Sequence, residues 1–87
     1  MIVVEKKNAD EFLVILDEKG SKTEYKVQLE DEYYQELTKG NITKEELIKR
    51  SFRFLLGKES KESILSKFNL RIIENYFPEY EGEIKVV

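Results

Sequence analysis

The 87 residues contain no cysteine and no histidine, which removes disulfides, thiolate nucleophiles, cysteine-based metal sites and imidazole acid–base chemistry together. Charged residues make up 38% of the chain yet nearly cancel, 15 Lys+Arg against 18 Asp+Glu, and with four glycines and one proline the composition is that of a folded domain. A chain this short builds one modest core, so a single domain over residues 1–87 is expected.

The opening apolar run, Ile2-Val3-Val4, is far shorter than a signal peptide's hydrophobic region, and no later run reaches membrane-spanning length. A soluble, cytoplasmic protein without a membrane partner is expected. Charge is unevenly spread. Residues 1–38 hold 5 basic and 10 acidic side chains, residues 39–71 hold 9 and 4, and residues 72–87 hold 1 and 4. A basic middle between acidic ends could bind an anion, or be neutralised within the fold or by a second copy.

Ile2-Val3-Val4 reads as a short strand, and Phe12 to Leu16, apolar at every position, as a strand central in its sheet. Asp17-Glu18-Lys19-Gly20-Ser21 is turn chemistry, with Gly20 suited to the left-handed position. Lys22 to Leu29 alternates, placing Thr23, Tyr25, Val27 and Leu29 on one face and Lys22, Glu24, Lys26 and Gln28 on the other. Residues 1–29 thus form a meander that needs helices on its apolar side.

Asp31 and Glu32 suit a helix N-terminus, and this helix, Asp31–Lys39, stops at Gly40-Asn41. Thr43-Lys44-Glu45-Glu46 fits a capping box, with Glu46 reaching back, and opens a helix from Lys44 to about Leu56 closed by Gly57. Leu47, Ile48, Phe52, Phe54, Leu55 and Leu56 span a broad apolar arc opposite Glu46, Lys49, Arg50 and Arg53. A third helix is expected from Ser60, interrupted at Asn69 and ended at Phe77 by Pro78. Residues 30–78 are the helical part, and residues 79–87 form a tail in which Glu83 to Val87 could add a short strand or fray.

The chain lacks a P-loop, a glycine-rich dinucleotide motif and a nucleophile-elbow serine. Acid–base work would fall to carboxylates clustered in a pocket, the least favoured of three functional readings. No catalytic residue, metal ligand or cofactor site is expected. Arg71 to Phe77 is too short, and too closely followed by Glu79, Glu81 and Glu83, to be a DNA-reading helix. Ile64, Leu65, Phe68, Leu70, Ile72, Ile73, Tyr76 and Phe77 are instead assigned to the core, with Asn69 as a turn or cap.

The succession of strand Lys22–Leu29, helix Asp31–Lys39 and capped helix TKEELIKRSFRFLL resembles the ribbon-helix-helix domains of small repressors and antitoxins. That resemblance implies a dimer sharing a two-stranded ribbon, with Lys22, Lys26 and Gln28 facing bases and the helix end near Thr43 and Lys44 holding a phosphate. Lys49, Arg50 and Arg53 would add phosphate contacts. Against it, Glu24 sits in the reading face and Glu45-Glu46 occupies the phosphate position. Ser63-Ile64-Leu65, Phe68, Leu70, Ile73 and Tyr76-Phe77-Pro78-Glu79-Tyr80 are similar to the ending of a group of short uncharacterised prokaryotic proteins, which implies no activity.

The wide apolar arc, with Tyr33, Tyr34, Tyr76, Phe77 and Tyr80, offers more large apolar surface than three strands obviously hide, and exposed aromatics of this kind anchor interfaces. The expected architecture is α+β, an antiparallel three-stranded β-meander followed by three α-helices on one face. The expected role is a small non-catalytic interaction or regulatory domain binding a protein partner or itself as a homodimer, with the ribbon-helix-helix DNA-binding regulator as the alternative.

Overall fold

A computed structural model describes residues 1–85 of the chain. Strands β1 (Ile2–Lys6), β2 (Glu11–Glu18) and β3 (Ser21–Gln28) form the expected antiparallel meander. Pairing of Glu18 with Ser21 leaves Lys19-Gly20 as a two-residue loop. Both residues have positive φ, 50° and 79°, the type I′ geometry that matches strand twist. Gly20 fills its expected position, and Lys19 accepts the left-handed strain beside it.

Helices α1 (Asp31–Thr38) and α2 (Lys44–Lys58) follow. Lys39 and Gly40, both left-handed, end α1. The Thr43 hydroxyl accepts from the Glu46 amide at 3.0 Å, so the cap forms as expected. Glu46 does not reach back; its carboxylate takes Arg50 and Arg53 instead. Gly57 does not close α2, because the helix runs through it to a cap at Glu59.

The largest departures lie after residue 60. In place of one interrupted helix the chain makes a 3-10 turn (Lys61–Ser63), strand β4 (Lys67–Asn69) and helix α3 (Ile72–Tyr76). The sheet is therefore four-stranded and mixed, ordered β1-β2-β3-β4, with β4 parallel to β3. Hydrogen-bond demand overrides the helical spacing of Ile64 and Phe68. The Lys26 amide donates to the Ser66 carbonyl at 2.7 Å and the Leu70 amide to the Gln28 carbonyl at 2.9 Å, filling an edge of β3 that would otherwise stay open. Pro78 separates α3 from a fourth helix, α4 (Tyr80–Ile84), which takes the tail as far as Ile84 in place of either a strand or a frayed end; Val86 and Val87 lie outside the described residues.

One face of the sheet is covered. Phe12, Val14, Leu16, Tyr25 and Val27 pack there against Leu47, Ile48, Phe52 and Leu55 of α2 and against Tyr33 and Leu37 of α1. Phe52 is the hub, 5.1 Å from the Tyr25 ring and 6.0 Å from that of Phe68. Among the described residues no helix is long and apolar enough to cross a membrane.

Candidate functional site

The residues singled out in the sequence separate into three places. Tyr33 and Tyr80 are buried, so neither is an exposed anchor. The Tyr33 hydroxyl donates to Glu81 Oε2 at 2.8 Å, and the Tyr80 hydroxyl lies 2.6 Å from Ser51 Oγ, which itself donates to the Leu47 carbonyl. Burial, joined in Tyr33 by the Glu81 hydrogen bond, raises the pKa of both phenols, so both stay protonated and serve as bolts between α4 and the rest of the fold. Tyr34 is half-buried, its hydroxyl donating to the Ile42 carbonyl.

The basic residues do not converge. Lys22, Lys26 and Gln28 stand on the sheet face away from the helices, where register sets Lys26 beside Leu13 and Lys67, and Lys22 beside Asp17. Glu24 and Glu11 share that face, as the alternation required. Lys44, Lys49, Arg50 and Arg53 belong to α2, on the other side of the sheet. Lys44 Nζ donates to the Ala9 carbonyl at 3.1 Å, is 3.8 Å from carboxylate oxygens of both Asp10 and Asp31, and lies 5.7 Å from the Tyr34 ring. Arg50 Nε meets Glu46 Oε2 at 3.0 Å, with Arg53 Nη1 at 3.9 Å from the same oxygen. The α2 start is thus internally neutralised where a phosphate contact would need free charge. In addition, β3 has β2 on one edge and β4 on the other over residues 26–28, the edges a shared ribbon would use.

Tyr76 and Phe77 belong to the third place, an apolar cleft between the C-terminal end of α2 and α3. Leu55, Ile64 and Phe68 form its floor, while Ile72, Phe77 and the exposed Leu65 and Tyr76 form its walls. Leu65 is 48% and Tyr76 64% exposed, which corrects their assignment to the core; Ile72 and Phe77 are half-buried. Phe77 is held edge-on to Phe54 at 5.8 Å, so one wall of the cleft is braced from behind. Glu59 is the charged side chain of the lining. Helical spacing would bury both Ile64 and Leu65, but this stretch is not helical. On extended chain the two neighbours point to opposite sides, and only Ile64 can be buried.

Carboxylates come together once. Hydrogen bonding to Glu81, followed by desolvation, raises the pKa of Glu74 above the ordinary carboxyl value, beside the Tyr33–Glu81 bond that ties α1 to α4. Arg71 lies 4.5 Å over the Tyr33 ring. Neither carboxylate lines the apolar cleft, so the pair and the cleft are separate places. Among the described residues no three acidic side chains are arranged to hold a metal ion. No protein-family model, curated protein or solved structure matches this chain.

Proposed function

We propose that the chain is a small protein-interaction module that captures an apolar-anchored, basic-flanked peptide segment in the cleft between α2 and α3. The observation that carries this reading is the pairing of exposed Leu65 and Tyr76 with a floor of Leu55, Ile64 and Phe68. Exposed large apolar side chains rimming a concave apolar floor have the make-up of an interface centre. The cleft holds about 260 Å³. That volume falls below the roughly 300–1,000 Å³ of small-molecule pockets and suits one or two anchor side chains. Glu59 at the margin favours a lysine or arginine next to the anchor.

Selection from a random peptide library tests the reading. The wild-type protein should enrich peptides with an aromatic or aliphatic anchor followed or preceded by a basic residue. A Leu65→Glu, Tyr76→Lys double variant, altered only at exposed positions, should lose them. The reading fails if no sequence class is enriched, or if the selected peptides bind the double variant equally well.

A further inference from the structure

We propose that β1 is a pairing edge for a second copy of this chain, joined as an antiparallel β1–β1 ladder with Val4 on the two-fold axis. The ladder with β2 fixes which groups are free to do this. The Asp17 amide donates to the Met1 carbonyl and the Lys7 amide to the Glu11 carbonyl, both at 2.9 Å. In an antiparallel ladder alternate residues bond to one side, so Val3 and Glu5 also turn towards β2. Ile2, Val4 and Lys6 therefore point their N–H and C=O groups outward, and none of these groups has a hydrogen-bond partner among the described residues.

Three outward residues spaced two apart are their own complement about the middle one. Setting Val4 opposite the partner's Val4 places Ile2 opposite the partner's Lys6 and Lys6 opposite the partner's Ile2. Each then exchanges both an N–H and a C=O bond. Glu5 falls opposite Val3 of the second copy, so no like charges are directly opposed. Ile2–Lys6 has no proline and no bulge; its one charge on the covered face, Lys6, is the feature that the pairing must accommodate.

Side chains agree with this occupant. By alternation Lys6 lies on the covered side of the sheet with Ile2 and Val4, so the partner's Lys6 arrives beside Ile2. The cleft at Ile2 is lined by Glu18, Glu59 and Glu62 together with Arg53, Lys61 and the Met1 ammonium, so it offers carboxylates to an arriving lysine without a net excess of either sign. The same pairing covers Ile2 and Val4, which the single chain leaves half-exposed.

Light scattering on a sizing column across a concentration series, with a Lys6→Pro variant, tests the proposal. Proline at position 6 removes an N–H that has no use within the chain, and edge strands tolerate it there. Wild type should move from 10.4 kDa towards twice that mass as concentration rises. Lys6→Pro should stay at the single-chain mass with an unchanged circular dichroism spectrum, while the cleft double variant should dimerise like wild type. A wild type that remains a single chain throughout, or a Lys6→Pro protein that dimerises equally, overturns the proposal. Should Lys6→Pro lose its fold, amide exchange in wild type decides. Protection at Ile2, Val4 and Lys6 that rises with protein concentration supports the ladder, and exchange independent of concentration refutes it.

Discussion

The meander and the segment after residue 60 are both packed against α2, yet they are held in different ways. β1, β2 and β3 pair with their sequence neighbours through two antiparallel ladders, each closed by a short loop. Residues 61–85 contain no element longer than five residues, and their attachments reach far back along the chain. Tyr25 donates to the Lys61 carbonyl at 2.8 Å, Asn69 to Glu30 at 3.1 Å and Tyr33 to Glu81 at 2.8 Å, and Lys58 is 3.3 Å from Glu79. Helices of five residues do not persist alone in water. The first region is specified by its own periodicity, the second by the surface on which it lands.

The contrast is sharpened most by removing a bolt. Ser51→Ala strands the buried Tyr80 hydroxyl, an effect worth about 1–3 kcal/mol, to be read in urea unfolding. Amide exchange should quicken in α3 and α4 more than in β2 and β3. Equal loosening of both regions would break the distinction. A smaller gain is expected at Gly57, which lies inside α2 with nothing within 4 Å of the place a Cβ would take. Gly57→Ala should stabilise the protein by about 0.5–1 kcal/mol in the same assay. Destabilisation would mean that the helix needs a break at that point.

The smallest effect concerns the raised Glu74 pKa. A carboxyl whose folded pKa is raised adds stability that is present below the unfolded pKa and fades as pH rises through the folded one. Glu74→Gln keeps a donor towards Glu81 at every pH. Thermal melts taken from below the ordinary glutamate pKa of about 4.3 up to neutrality should show the glutamine protein gaining on wild type as pH rises. The Glu79 carboxyl, held low by its own backbone amide and by Lys58, shifts the other way but is common to both proteins and drops out of the difference. A gap that is constant with pH would remove the coupling between Glu74 and Glu81.

The same contrast governs what could be read from the residues alone. Alternation from Lys22 to Leu29, the Thr43 cap and the Gly20 turn are local devices, and each stands where periodicity put it. Strand β4 was illegible because its cause is a vacant edge on β3, in another part of the chain. Ile64, Leu65 and Phe68 satisfy helical spacing equally well, so pattern alone favoured the wrong period. Of the aromatics proposed as anchors, Tyr76 and Phe77 reach the cleft, whereas Tyr33 and Tyr80 are core. Aromatic content could not separate them, since the difference lies in which elements each ring meets in the fold: Tyr33 and Tyr80 bond to Glu81 and Ser51 inside, while Tyr76 and Phe77 line the cleft.

The parallel pairing of β4 with β3 also sets an order in time. During synthesis the meander leaves the ribosome complete while the β3 edge at Lys26 and Gln28 stays bare until residues 66–70 emerge. Every helical residue of α1 and α2 must be made in between. For that interval the nascent chain carries open strand edges on both sides of its sheet, and closing the β3 edge by long-range pairing is intrinsically slower than closing a hairpin. A chain released before residue 70 would keep that edge, making truncated products more prone to pair with one another than the finished protein.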